Sequence, residues 1–323
     1  MSKVVVKIPA KLIISGEHSI LHTGKAITCA IDKYMTIKLK AIKRNVIKVK
    51  GSGFKVKHKV KDFASQPFDN ELELEVIRNF FLQANIKPSG VSVVIKSKIP
   101  VNCGMGSSAA IISGILFGLN EVFNANISRD NLIALATKLE DICHGKSSGI
   151  DIISVVNGGV LYFNNGKYEK IPHSFDEVWY INTGRSDFRT KDVVENVCEK
   201  NEKQGIDWNN FDRLTGAIKN AIVNNDKINE LIVKNQQMLL EIGVISKQAN
   251  DFVRDLLNYD IYAKVCGAGT IANLDNSGKC GVIAIFQKLS KMQVKILKRF
   301  CRQYSWKLKQ ATIANAGIEV YDI

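Results

Sequence analysis

Pro100-Val101-Asn102-Cys103-Gly104-Met105-Gly106-Ser107-Ser108-Ala109-Ala110 is a glycine-rich turn set between two different hydrophobic rhythms. Before it, Val91–Ile95 alternates with the period of a strand; after Ser108, apolar residues recur at helical spacing through Phe123. A loop in that place turns backbone N–H groups outward at a helix N-terminus, where unsatisfied amides and the helix dipole favour an anion. Glycine at 104 and 106 permits positive φ and lets phosphate oxygens reach the main chain. The hydroxyls of Ser107 and Ser108 can add a phosphate hydrogen bond or a Mg2+ ligand. This is not the Walker P-loop, because no Lys-Ser/Thr pair follows the glycines. Gly104, Gly106 and Ala109 do fit the dinucleotide fingerprint, so an NAD(P)-binding protein stands beside a nucleoside-triphosphate site and a plain glycine turn. The dinucleotide reading asks for an acidic residue on a second strand about 20 residues on. Here that region runs from helix into Asn124-Ala125-Asn126 and a second helical pattern.

The rest of the first half reads mostly as strands: Val4–Ile8, Leu12–Ile14, Tyr34–Leu39, Val46–Val49 and Phe54–Val60, with Gly51-Ser52-Gly53 as a turn. One helix, from about Glu71 to Gln83, interrupts them; another runs from about Arg129 to Cys143 with Ser128 placed to cap it, and the sheet resumes at Gly158–Phe163. The second half mixes a strand at Val178–Asn182, helical stretches between Lys191 and Leu257, strands at Tyr262–Cys266, Val282–Phe286 and Glu319–Tyr321, and a helix at about Ser290–Tyr304. No regular βαβ alternation appears, which favours an α+β fold in two domains, residues 1–175 and 176–323. A chain of 323 residues with 46% hydrophobic content is large enough for two cores.

Composition narrows the function classes. The longest apolar stretch, Ala109 to Leu119, is broken by Ser113, Gly114 and Gly118 and falls short of the ~20 residues of a bilayer span. Charges among the first residues argue against a signal peptide, so a cytoplasmic protein with no membrane partner is expected. Seven cysteines, an odd number without C-x-x-C spacing, signal neither a disulfide framework nor zinc, and read as buried free thiols. The net charge of +14 comes with basic residues such as Lys38, Lys40, Lys43, Arg44, Lys48, Lys50, Lys55, Lys57, Lys59 and Lys61 where strands are predicted. Lysine alternating with Val, Ile or Phe is the solvated face of a half-buried sheet. With no recognition motif or aromatic interleaving, no nucleic-acid partner is expected, and a small anionic substrate is the more economical use of the charge.

Glu140-Asp141-Ile142-Cys143-His144-Gly145-Lys146-Ser147-Ser148-Gly149-Ile150-Asp151 ends a helix, turns through two glycines and presents Asp151. Phosphoryl transfer needs a metal ligand, a base for the attacking hydroxyl and cations for the developing charge. Glu140 and Asp151 can supply the first two, although either residue alone would read as a solvated helix charge or a turn-forming Asp.

Two more segments carry a resemblance: Pro9-Ala10-Lys11-Leu12-Ile13-Ile14-Ser15-Gly16-Glu17-His18, leading on to Gly24, and Lys264-Val265-Cys266-Gly267-Ala268-Gly269. With the loop at 100–110 between them, the chain resembles the GHMP family of small-molecule kinases along nearly its full length, and within it the mevalonate kinase subgroup. Galactokinase-like members continue Gly-Glu-His with Thr/Asn-Asp, which this chain lacks, and homoserine kinases lack the Gly-Glu-His. The resemblance implies a ribosomal-S5-like N-terminal domain and a ferredoxin-like C-terminal domain with the active site between them. It implies ATP and Mg2+ as cofactors, mevalonate as acceptor with phosphomevalonate or a sugar as alternatives, and a homodimer. It makes Asp151 the catalytic base and Lys11 the cation that orients and activates it. The cofactor would lie on Pro100, Asn102, Cys103, Gly104, Met105, Gly106, Ser107, Ser108 and Ala109, with Mg2+ on Ser108 and Glu140. Glu17, His18, Thr190, Gly267, Ala268 and Gly269 would line the acceptor side. Two departures stand out: Asn102 replaces a glycine common in the second motif, and Thr270-Ile271-Ala272-Asn273 follows the third motif where many members carry more glycines.

Overall fold

The computed structural model describes residues 2–63, 71–144, 147–175 and 177–323. The chain opens with β1 (Lys3–Ser15), the short helix α1 (Ile20–Thr23) and β2 (Lys25–Ala41). β1 and β2 pair antiparallel along nearly their whole length, with the register shifting between Pro9 and Ala10 and again between Ile13 and Ser15. The alternation predicts two strands, Val4–Ile8 and Leu12–Ile14; they are one, because Pro9 shifts the register without ending the pairing. The early part of β2 escapes a period-two reading for another reason: Ala26 to Ile31 is buried throughout and so does not alternate.

β3 (Val46–Lys50), β4 (Lys55–Lys59), the short helix α2 (Val60–Phe63), α3 (Leu72–Gln83), β5 (Val91–Ser97), α4 (Ser107–Phe123), α5 (Arg129–His144), α6 (Ile150–Asn157), β6 (Val160–Asn164) and β7 (Lys167–Lys170) follow. The sheet runs β1-β2-β5-β3-β4, with β6 beside β2 and β7 beyond it; β3 and β5 pair parallel, the other neighbours antiparallel. Ile37, Leu39, Ile47 and Val49 face the core while Lys38, Lys40, Lys50 and the lysines of β4 face water, as the alternation predicts. α4 lies flat on this sheet. A Cβ on Gly114 would stand 2.6 Å from Ile8 Cδ1 and one on Gly118 2.3 Å from Leu39 Cδ1, so both glycines set how close the helix comes. After α4 the chain enters α5, not a strand, which leaves the dinucleotide reading without its second strand.

β8 (Glu177–Gly184), α7 (Thr190–Gln204), α8 (Trp208–Val223), α9 (Asn229–Glu241), α10 (Lys247–Leu256), β9 (Ala263–Cys266), β10 (Gly281–Ile285), α11 (Lys291–Gln303) and β11 (Lys307–Thr312) form the second unit. Its sheet order is β11-β8-β10-β9, all antiparallel: fourth, first, third, second, the ferredoxin-like pattern the resemblance implies. β11 carries almost no sequence signal, since Ala311 is its one buried residue. The final strand, β12 (Glu319–Asp322), returns to the first sheet and pairs with β1.

Candidate active site

β1 and α4 bring the glycine loop and Lys11 together. The Lys11 N–H donates to the Met105 carbonyl at 3.1 Å, and a Cβ on Gly106 would lie 3.0 Å from Lys11 Cγ. Gly104 and Gly106 adopt φ of 77° and 73°. Asn102 adopts 55°, so the asparagine in place of a glycine takes the left-handed geometry it tolerates better than most residues. α4 begins at Ser107 directly after Gly106 and has no acidic residue in its first turn, leaving its positive end for an anion.

Lys11 Nζ stands 2.8 Å from Asp151 Oδ1. The lysine is 2% exposed and the aspartate 24%, so the carboxylate opens to the cleft while the ammonium lies behind it. Asp151 does not stand in a turn as the sequence suggests; it occupies the first turn of α6, after Gly149 at φ 74°. That helix is buried on several sides, so its near-continuous apolar run hides the helical period. It is pinned to β2 where Thr28 Oγ1 and Ser154 Oγ meet at 2.6 Å. Gly145 and Lys146, also in the quoted stretch, lie outside the described residues, as does the Cys143 side chain.

Glu140, near the end of α5, is 1% exposed. The Ser147 hydroxyl donates to its Oε2 at 2.6 Å, while Oε1 is buried without a partner among the described residues. Burial first, and the neighbouring Asp151 carboxylate second, push its pKa up to about 8, far above the usual carboxylate range. A buried carboxylate lining the same cleft as Ser107 and Ser108, with one oxygen unpaired among the described residues, fits a divalent cation, which would restore the charged form. Among the described residues there is no cluster of three or more His, Cys, Asp or Glu suited to a metal. A cation with few protein ligands is the habit of Mg2+, which keeps water and phosphate oxygens as its remaining partners.

The Gly-Glu-His segment and the third glycine segment are stitched together. Glu17 Oε1 and Lys264 Nζ form an ion pair in which both side chains are buried. His18, at φ 58°, sets Nε2 3.0 Å from the Ala268 carbonyl. Burial, the largest cause, drives its imidazole down to about 4, leaving the ring neutral. The Cys266 thiol donates to the Ile13 carbonyl at 3.1 Å, and Gln236 Oε1 accepts from Val265 N at 2.9 Å. Glu17 is therefore committed to Lys264, which departs from a purely acceptor-facing role.

These parts surround one cleft of about 570 Å³. Lys11, Glu17, His18, Asn102, Cys103, Gly104, Gly106, Ser107, Ser108, Glu140, Asp151, Thr190, Gly267, Ala268 and Gly269 all line it. Pro100, Met105 and Ala109 do not; Met105 and Ala109 point into the core, so only their backbone is available to a phosphate. Thr190 heads α7 on the cleft rim, behind Arg189, which is tied to Asp192 through two nitrogens. Sequence reasoning passed over Arg185, Ser186 and Phe188, which line the cleft just after β8. Arg185 has no ion pair among the described residues; its position at the end of a core strand was the available signal. Ile20 and Leu21 of α1 were also missed. Of the described thiols, Cys29, Cys103, Cys266, Cys280 and Cys301 are buried and free as expected, and Cys198 is half-buried.

Residues 72–159 match the model of the GHMP kinases N terminal domain. A mevalonate kinase of Methanocaldococcus jannaschii is 26% identical over 309 residues, covering 91% of this chain and 96% of that protein. One from Pyrococcus abyssi is 28% identical over 288 residues, covering 82% and 86%. Among solved structures, the Methanococcus jannaschii mevalonate kinase superposes with a TM-score of 0.79 at 24% identity, over 96% of this chain and 98% of that one. The L. major mevalonate kinase in complex with R-mevalonate gives 0.76 at 18% identity, over 96% of each.

Proposed function

We infer that this chain, which belongs to the GHMP kinases, transfers the terminal phosphoryl group of ATP to the primary hydroxyl of mevalonate, forming 5-phosphomevalonate for isoprenoid precursor synthesis. The observation that carries the reading is the Lys11–Asp151 pair, 2.8 Å apart and facing the same cleft as a glycine loop at a helix N-terminus. The likeness to mevalonate kinases along most of the chain supports mevalonate as the acceptor.

In this reading the loop from Asn102 to Ser108 and the start of α4 hold the ATP phosphates, the helix dipole offsetting their charge. Asp151 takes the proton of the acceptor hydroxyl at its cleft-facing carboxylate as the oxygen attacks the γ-phosphorus in line and ADP leaves. Lys11, held behind it, orients the carboxylate and balances the charge gathered there. Ser108 and Glu140 would hold Mg2+, whose chemistry when bound is to neutralise charge on the phosphate oxygens. Arg185 and Thr190 on the rim are the groups for the acceptor carboxylate and the reacting phosphate. We place the division of the chain near residue 175, where the sheets change, with β12 reaching back across it. A cytoplasmic homodimer completes the proposal.

Coupled ADP release with a panel of alcohols is the test. Turnover with mevalonate well above that with phosphomevalonate or sugars supports the reading; release with another acceptor alone reassigns the substrate, and no release with tight NAD(P) binding overturns it.

A further inference from the structure

α8 belongs to the second half of the chain, yet one of its faces is spent on the first. Trp208, Asp212, Thr215 and Lys219 follow one another at steps of four, three and four, a single line along a helix. Trp208 stacks on the His22 ring, centroids 4.1 Å apart and planes 7° from parallel. Asp212 Oδ1 accepts from the Thr23 hydroxyl at 2.5 Å, and Oδ2 meets Lys25 Nζ at 3.4 Å. Thr215 Oγ1 shares a fully buried hydrogen bond of 2.8 Å with Ser15 Oγ. Lys219 pairs with Glu169 at 2.6 Å and sits over the Tyr162 ring.

Three of these four contacts converge on residues 15–25, the segment that carries α1. A helix of four residues cannot hold its shape through its own hydrogen bonds. It is fixed from outside, and what it fixes is chemical: Ile20 and Leu21 line the cleft, and Ile20 packs beside Ile13 and Ile150, the neighbour of Asp151. The carboxylate of Asp212 is the strongest of the three tethers, being 13% exposed and bonded to both a hydroxyl and an ammonium.

We propose that Asp212 is a positioning residue for the acceptor: by holding Thr23 and Lys25 it sets α1 so that Ile20 and Leu21 form the apolar wall beside Asp151 on which the acceptor's carbon chain rests. The proposal deepens the kinase reading and rests on it. A residue that merely buttressed the fold would lower the melting temperature and leave substrate discrimination alone. A residue that places α1 acts on one substrate and spares the other, because the glycine loop and α4 are anchored elsewhere.

The experiment compares Asp212→Ala, Asp212→Asn and Thr23→Val with the wild type in steady-state ADP release, titrating mevalonate and ATP separately and recording melting temperatures. Loss of the charge-assisted hydrogen bond from Thr23, together with the weaker ion pair to Lys25, predicts a rise of about tenfold in KM for mevalonate in Asp212→Ala. KM for ATP and kcat stay within about twofold, because binding of only one substrate is disturbed. Thr23→Val and Asp212→Asn give smaller rises in the same direction, and Thr23→Val combined with Asp212→Ala is no worse than Asp212→Ala alone, since Asp212→Ala already removes the Thr23 contact. Equal rises in both KM values, a lower melting temperature with neither KM changed, or effects that multiply in the double variant overturn the proposal. If Asp212→Ala does not fold, the two isosteric variants carry the comparison. A wild type that releases ADP with another alcohol and not with mevalonate sinks the acceptor assignment first, and is recognised before any variant is made.

Discussion

The two glycine segments that meet in the cleft look alike in sequence and differ in what their backbone is free to do. Gly104 and Gly267 touch: a Cβ on Gly267 would lie 3.1 Å from Gly104 Cα. Both segments run through positive φ, 77° and 73° at Gly104 and Gly106, 89° and 73° at Gly267 and Gly269. Behind the first, α4 starts at once without a side-chain cap at Gly106, and its leading residues Ser107 and Ser108 line the cleft. Behind the second comes no helix, and the amides that follow it are turned away to another loop: Thr270 N donates to the Val244 carbonyl at 2.9 Å and Ala272 N to the Gly243 carbonyl at 3.0 Å. The first loop can receive an anion, whereas the second is a wall that closes the cleft. Glycine content alone does not mark a phosphate site; the element that follows does.

Both walls frame Asp151, so removing its charge should have the largest effect. Asp151→Asn keeps the shape and removes the carboxylate proposed as the base, and kcat should fall by about 10³-fold with the fold intact. Wild-type turnover in that variant would remove Asp151 from the chemistry. The next pair of substitutions separates the loops. Gly106→Ala presses a methyl against Lys11 Cγ at 3.0 Å in a left-handed position, and misplacing the lysine should cost about 100-fold in kcat/KM while the melting temperature moves little. Gly269→Ala instead drives a methyl to 2.1 Å from the Val244 carbonyl oxygen, and unfolding stability should drop by about 3 kcal/mol before any effect on the chemistry is read. If the two variants exchanged phenotypes, the distinction between receiving loop and closing wall would be lost.

Glu140→Gln sharpens the receiving side further. The amide fills the same space without charge, and half-saturation by Mg2+ should shift upward by about tenfold. An unchanged Mg2+ requirement moves the cation elsewhere. The last effect lies on the closing wall, at His18, and shows only as the pH is lowered. Its imidazole is held near 4 in the folded chain against an ordinary 6.5, so as pH falls from 6.5 towards 4 the unfolded chain takes up a proton that the folded one does not. Stability should therefore be full above 6.5 and decline by up to about 3 kcal/mol as pH drops to 4. His18→Asn, which tolerates the positive φ, should flatten that decline in equilibrium denaturation at successive pH values.

Much of the cleft was legible along the chain. The loop at 100–108, Glu140 and Asp151 announce themselves through residue type, glycine placement and the change from strand to helix spacing, whereas Lys11 came only from the family resemblance. β11 and α6 were not legible. An edge strand with one buried residue has no alternation to show, and a helix buried on several sides has no polar face. Arg185, Ile20 and Leu21 were missed because they belong to no motif, and only the folded chain puts them beside Asp151.

What the sequence by itself determined is local: which stretches are strands or helices, where glycine permits left-handed turns, and that one such turn opens a helix with no acidic residue in its first turn. These follow from steric limits and periodic burial, which act over a few residues. The tertiary structure decided which groups share a cleft. Lys11 and Asp151, 140 positions apart, meet because β1 and α6 pack on one sheet. Glu17 meets Lys264 because the second sheet closes over the first, and that contact fixes the wall facing the loop. Such pairings depend on how whole layers bury their apolar faces, which no short window of sequence contains.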